Sequence, residues 1–376
     1  MKKPSWLPVR LLACFPTSVL FAAGFCCCPL SLAQQANDRL TLKDGKTQIG
    51  RIQDEDVDAI SFKPTRGGAE TKIPWETVAS IEYGGAPAEF TRVMENLTRA
   101  DPQTLLGSLS TLAGDANLRP PLQQQVLYCR AQTLKRLGKF EDALKGYQEI
   151  LAAFPKSRFL LEVARGVVDC NVASGKAADA AQALDKIVAE AKAASVGPRF
   201  LGEVALVRGD LLLAQSKLAE ARAAYEAAEK NEGASPELLH GGRLGVARCL
   251  QLQGKAAEAE QLFRKLIGEK APSEVLGGAW TGLAEVLMET GKVRKSSDLM
   301  HESLFGFLRS IVQFAPGPGA ATDAYERALA GAAACNDLIA ETETSNERRQ
   351  VYARRAQSRR EELARLFPTS KYLKSS

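Results

Sequence analysis

Residues able to do covalent or acid–base chemistry are few and scattered in this chain. Only two histidines, His240 and His301, stand among 376 residues, and neither is spaced to serve a nucleophile. Carboxylates recur at helical intervals instead of gathering where strands would end. No Gly-rich phosphate loop, His-Glu-x-x-His helix or Gly-x-Ser-x-Gly elbow occurs. Beyond the N-terminal segment the cysteines are Cys129, Cys170, Cys249 and Cys335, each alone, with no Cys-x-x-Cys and no histidine at ligand spacing. That pattern predicts no zinc site. A Cys129–Cys170 disulfide is open to an exported protein, but four small buried thiols used for packing is the simpler expectation. The sequence therefore predicts no catalysis, no metal, no cofactor and no small-molecule substrate, and leaves non-covalent recognition as the chemistry to look for.

Recognition needs a scaffold, and a repeated pattern supplies one. Between residues 122 and 307 the chain repeats a helix, a short turn and a second helix. The turns fall at Gly138-Lys139, Gly175-Lys176, Ser216-Lys217, Gly254-Lys255 and Gly291-Lys292. A small residue anchors each second helix at Ala143, Ala180, Ala221, Ala259 and Ser296, spaced by 37, 41, 38 and 37. The helical period shows at Leu127, Ala131 and Leu134, then at Ala143, Tyr147 and Ile150. Each two-helix unit would bury only part of its apolar surface alone, so neighbours must stack on a shared core. Trp280-x-x-Leu283-Ala284-x-x-Leu287, Ala221-x-x-x-Tyr225 and Ala259-x-x-x-Phe263 resemble the first- and second-helix signatures of the tetratricopeptide repeat family. Its period is about 34 residues. Five such units cover about half of the chain, and the second departs from the pattern with Asn171 where an apolar residue is usual.

The remaining segments read differently. Residues 1–33 combine Lys2, Lys3 and Arg10 with an uncharged run and a Ser31-Leu32-Ala33 ending, the pattern of an export signal. That predicts a periplasmic or cell-envelope location, or membrane anchoring if the segment is not cleaved. Residues 36–84 alternate with period two in about five short runs, punctuated by Asp44-Gly45 and Gly67-Gly68. The Leu-Lys-Asp-Gly opening, Gly50 and Ile73-Pro74-Trp75 resemble an SH3-like or Sm-like barrel. Gly84-Gly85-Ala86-Pro87 reads as a linker, predicting a barrel that folds apart from the helices. Residues 86–118 hold this linker and a degenerate helical pair, residues 119–313 the repeats, and residues 314–376 two capping helices over about 321–341 and 345–367. The expected fold class is mainly α, a helical-repeat solenoid preceded by a small all-β barrel.

Charge narrows the partners. The formal net charge is +5, but three of the 49 basic residues lie in the N-terminal segment, leaving 46 against 44 acidic ones. A nucleic-acid-binding chain would be more basic, so none is expected as partner. From residue 346 onward nine Lys or Arg face three Glu, a basic end that could meet anionic lipid, cell-wall polymer or an acidic protein. The tetratricopeptide resemblance implies partner contacts from exposed positions of each first helix. Those positions are Tyr128, Gln132 and Arg136, then Arg165 and Asp169, Leu206 and Asp210, Leu244 and Arg248, and Thr281 and Glu285. The expected function is an exported, non-enzymatic scaffold that binds a protein or peptide in a groove. The alternative is envelope attachment through the barrel or the basic end.

Overall fold

The computed structural model describes residues 37–97, 99–269, 271–316, 322–368 and 370–374. The export-signal reading of residues 1–33 and the Gly317-Pro318-Gly319 break lie outside them. The chain divides into two compact units, one ending at Val196 and one beginning at Gly197.

Period-two alternation at the start of the first unit gives five strands, β1 (Asp38–Leu42), β2 (Thr47–Glu55), β3 (Ala59–Pro64), β4 (Thr71–Pro74) and β5 (Val78–Glu82). A single 3-10 turn, Trp75–Thr77, joins the last two. Leu40, Ile52, Ile60, Phe62, Ile73, Val78 and Ile81 share one side and form the core. Gly45 takes the left-handed conformation, φ +85°, that the β1–β2 turn requires. All ladders are antiparallel and the order is β4-β3-β2-β1-β5. The outer strands β4 and β5 share no ladder among the described residues. What these residues build is a five-stranded antiparallel sheet, and the ring closure expected of a barrel is not part of its hydrogen bonding.

Six helices follow in this unit: α1 (Ala88–Asn96), α2 (Pro102–Ala113), α3 (Pro120–Arg136), α4 (Phe140–Ala153), α5 (Leu160–Ala173) and α6 (Ala177–Ala193). Asp101 caps α2 by accepting from the Thr104 N–H at 2.9 Å. The sheet is not held by its linker alone. Buried Asp38 takes a bidentate ion pair from Arg119 at the N-cap of α3, with distances of 2.7 and 3.0 Å. Buried Glu55 pairs with Arg158 at 3.0 Å and accepts from the Tyr83 hydroxyl. Gln124 of α3 donates to the Glu55 carbonyl, Ser157 donates to Gln124, and the Val57 N–H donates to the Lys156 carbonyl at 2.8 Å. The α4–α5 connection thus meets the sheet at one isolated antiparallel bridge, between Asp56 and Ser157.

The second unit holds α7 (Pro198–Ala214), α8 (Leu218–Glu229), α9 (Pro236–Leu252), α10 (Ala256–Gly268), α11 (Ser273–Arg294), α12 (Ser297–Gln313), α13 (Asp323–Thr342) and α14 (Asn346–Leu366), then a 3-10 turn over Lys371–Lys374. Inter-helix turns reverse through positive φ at Gly138, Gly175, Ser216, Gly254 and Lys295. The last of these corrects the expected turn at Gly291-Lys292. There α11 runs on to Arg294, and Lys295 takes the left-handed position at φ +51°. Ser296 is accordingly the N-cap of α12, accepting from the Leu299 N–H, and the anchor residue of that helix is Met300. The exchange is one of volume. Buried Gly291 faces Met300, where the other repeats set alanine in the second helix.

A second packing rule runs through the helix pairs. Each large second-helix ring lies on a helical glycine of the following first helix: Tyr147 on Gly166, Tyr225 on Gly245, Phe263 on Gly282 and Phe307 on Gly331. A Cβ at any of these glycines would stand 2.3–2.4 Å from ring carbon, inside van der Waals contact. Cys129, Cys170, Cys249 and Cys335 are free and buried, so the Cys129–Cys170 disulfide is not formed.

Candidate functional site

Each unit presents a polar surface along its first helices. In the first unit α3 and α5 lie side by side, and the Lys135 ammonium reaches the Asp169 carboxylate at 2.8 Å between them. Arg165 and Asp169 are exposed, as expected of contact residues. Arg136 is exposed with its guanidinium on the Leu97 carbonyl at 3.2 Å, and Gln132 is half-buried.

Tyr128 is not a free surface residue. It is 4% exposed because the α4–α5 connection folds over it, laying Phe159 flat on its ring with centroids 4.4 Å apart and planes 7° from parallel. The Arg158 guanidinium covers the other side of Phe159 at 4.4 Å and lies 5.3 Å from the Trp75 ring. A column Tyr128–Phe159–Arg158–Trp75 therefore runs from α3 to the sheet. The Tyr128 hydroxyl accepts from Gln132 at 3.1 Å, and burial raises its pKa well beyond the ordinary phenol range. Arg158 and Phe159 escaped sequence reasoning because they lie in a connection rather than on a first helix. The one available signal was the Phe154-Pro155-Lys156-Ser157 run that ends the repeat.

In the second unit α7, α9, α11 and α13 are neighbours, and charged side chains cross from α9 to α11 and from α11 to α13. Exposed Asp210 accepts from the Tyr225 hydroxyl at 2.7 Å. Arg248 of α9 binds Glu285 of α11 and donates to Gln251, whose amide also donates to Glu285 at 2.8 Å. Arg327 of α13 lies 3.5 Å from the same Glu285 and 3.3 Å from Asp323. Lys371 and the Tyr372 hydroxyl reach Asp323 at 3.0 and 2.8 Å. Burial, then the neighbouring Arg327 charge, lowers the Arg248 pKa although Glu285 opposes both. Three expected contact residues thus stand on this surface, Asp210, Arg248 and Glu285, and sequence reasoning missed Gln251, Arg327 and Asp323.

Three others are packing residues. Thr281 is fully buried, its hydroxyl joined to the Gly277 carbonyl at 2.9 Å and to Ser310. Leu206 and Leu244 are half-buried, lying where a Cβ at Gly241 or Gly278 of the next first helix would meet them. First-helix position alone did not separate groove from seam.

Of the histidines, His301 has Nδ1 2.8 Å from the Ser297 carbonyl and 3.3 Å from the Ser297 hydroxyl, and Nε2 3.3 Å from the Tyr352 hydroxyl. His240 sits between the Pro236 carbonyl and Glu269, at 2.6 and 3.1 Å. Among the described residues no group of three His, Cys, Asp or Glu is placed to hold a metal, and no helix is long and apolar enough to cross a membrane.

No protein-family model matches the chain, and no curated protein matches it by sequence. Solved structures do. A tetratricopeptide repeat protein from Parabacteroides merdae aligns with 77% of this chain and 97% of its own at 15% identity, with a TM-score of 0.50. PilW, a type IV pilus biogenesis factor, aligns with 67% of this chain and 97% of its own at 15% identity and a TM-score of 0.42. PilF of Pseudomonas aeruginosa aligns with 67% and 95% at 15% identity and 0.41. Built of paired helices and aligned over most of its length with the first of these, the chain has a tetratricopeptide-repeat-like fold, carried after a five-stranded antiparallel sheet.

Proposed function

We propose that this chain is an exported, non-enzymatic scaffold that binds protein or peptide on its first-helix surfaces. The observation that carries the reading is the line Arg248–Glu285–Arg327–Asp323, where charges of alternating sign are fixed on α9, α11 and α13, with Arg327 buried between its partners. Such a line meets a polar chain segment in a set register, and rigid helices limit the ordering cost of binding. The export-signal pattern of residues 1–33 supports a partner in the periplasm or cell envelope. The test is crosslinking in intact cells with mass spectrometry, run on the parent and on Arg165→Glu with Asp210→Asn, two exposed positions, the asparagine keeping an acceptor for the Tyr225 hydroxyl. Partners captured by the parent and lost by the variant, at equal melting temperature, are expected. An identical partner profile would remove the first-helix surfaces from consideration.

A second reading rests on α14. Arg359 and Arg360 are paired to Glu362 and Asp337, whereas no ion pair holds Arg348, Arg354, Arg355 or Arg365 among the described residues. Exposed guanidinium groups without a counter-charge suit an anionic surface. Cosedimentation with phosphatidylglycerol vesicles, sensitive to salt and lost on Arg354→Glu with Arg355→Glu, is the expected result. Failure to sediment at low salt would dismiss it.

A further inference from the structure

Asn171 breaks the apolar pattern of the second repeat, and the structure shows where that polar group goes. It is 6% exposed on α5, and its Nδ2 donates to the Val167 carbonyl at 2.9 Å, one turn back. Its Oδ1 accepts from no donor among the described residues. Asn336 makes the same back-bond on α13, but its Oδ1 is sealed inside the protein. Asn171 Oδ1 is not sealed, because the residue lines an open groove of about 800 Å³. Leu144 and Leu151 of α4, Val167 of α5 and Ile187 of α6 supply apolar walls. The alanine-rich α6 leaves the space unfilled, with Ala183 and Ala193 where larger side chains would close it.

The shape and chemistry of this groove define its occupant. Its lining follows a helical stripe down α6 from Asp179 to Ala194, roughly 22 Å at 1.5 Å per residue, so the occupant is linear rather than compact. The walls are helices whose backbone groups are already bonded within them. An extended peptide would bury its own N–H and C=O groups there without partners, whereas a helix brings its backbone satisfied. Gln148, Asp179 and Glu190 are exposed on the rim, whereas the Asn171 acceptor is buried among the apolar walls and asks for one N–H or O–H on the apolar stripe of that helix. On the rim Lys186 pairs with Glu190 at 3.8 Å, which leaves Asp179 to favour a basic residue beside the stripe. We infer that the groove between α4 and α6 is a second interaction site, which takes a basic amphipathic helix of a partner protein carrying one hydrogen-bond donor, tryptophan or tyrosine, on its apolar face. The site lies on other helix faces than the surfaces proposed above and does not depend on them.

The test uses the full chain and a displayed library of amphipathic helices of about 16 residues, long enough to span the groove. The library varies only the apolar stripe. Counter-selection is against Ala183→Trp, which fills the groove, and each variant is first shown to keep the parent's circular dichroism and to melt no lower than the parent. Recovered helices should carry Trp or Tyr at one stripe position, bind the parent at least tenfold more tightly than Asn171→Leu, and fail to bind Ala183→Trp. Helices that bind parent and Ala183→Trp alike, helices indifferent to Asn171→Leu, or a library yielding no binder would each overturn the inference. So would a dimer of the parent in sedimentation equilibrium that Ala183→Trp abolishes, because the occupant would then be a second copy.

Discussion

Replacing Arg119 with methionine tests the joint between the sheet and the first helices. Asp38 is wholly buried, and each of its oxygens also accepts one backbone N–H, from Ile52 and from Gly84, both at 2.8 Å. Arg119 adds two charge-assisted bonds while remaining 16% exposed. Methionine keeps much of the arginine stem, so the loss is chiefly electrostatic: a buried carboxylate keeps two backbone donors and loses its counter-charge. Breaking a buried pair from one side costs about 3–5 kcal/mol, and the surviving donors place this case near the lower end, at about 3 kcal/mol. Asp38→Asn in the same chain removes the stranded charge and should recover about half of the loss. Equilibrium urea unfolding followed by far-UV circular dichroism gives the free energies. Tryptophan emission follows the joint, since the Trp75 indole donates to the Asp56 carbonyl at 2.7 Å. If Arg119→Met unfolds within about 0.5 kcal/mol of the parent, or the double variant is no better than the single, the pair does not couple sheet to helices.

Other consequences can be checked independently. Gly166→Ala sets a methyl 2.4 Å from the Tyr147 ring and should cost about 1–3 kcal/mol in a urea melt, with Tyr147→Leu in the same chain relieving it. Ala259→Leu, at a fully buried anchor, should cost a similar amount; an unchanged midpoint would refute the register of the repeats. Burial pushes the Cys129 thiol up to about 12 and those of Cys249 and Cys335 up to about 11. Mass-spectrometric mapping after alkylation at pH 8 should therefore find these sites unmodified in the native chain and fully modified in denaturant. Burial also raises the Glu55 pKa above its ordinary 4.5, against the opposing pull of Arg158. A carboxyl raised on folding contributes stability below the unfolded pKa and loses it as pH rises through the folded value. The parent should thus lose stability relative to Glu55→Gln as pH climbs from about 4.5, and a flat difference across that range would contradict the assignment.

Local grammar carried much of the fold, and it failed where tertiary contact overrode it. The strands, the helix pairs and four of five turns followed from period and from Gly-Lys or Ser-Lys pairs. Gly291-Lys292 has the same wording but a different role, because Gly291 makes room for Met300 inside α11 and the left-handed turn passes to Lys295. Likewise Gly84-Gly85-Ala86-Pro87 reads as a tether, yet no short-range pattern reveals that Arg119 and Arg158, far along the chain, neutralise Asp38 and Glu55. Opposite charges brought together from distant positions have no sequence period. The linker alone suggests independent folding and leaves out the two buried ion pairs that join the sheet to the start of α3 and to the α4–α5 connection.

The candidate contact residues divide along the same line. Arg165, Asp169 and Asp210 are exposed on their first helices and Arg248 and Glu285 half-buried, positions that helical register reaches because it follows from the 3.6-residue repeat. It could not tell what later segments lay over that surface. Tyr128 has the right register and is covered by Phe159, while Thr281 is turned into the α11–α12 seam by Ser310. Asn171 is the opposite case. An apolar position occupied by an amide costs stability unless the group is bonded, and in this helix one end of the amide is bonded while the other opens onto the α4–α6 groove. Asn171→Leu should therefore stabilise the isolated chain, by about 1 kcal/mol, while weakening the binding of a helix in that groove. A melting temperature that falls would mean that the amide serves the fold, through its bond to Val167, and the groove would lose its polar determinant.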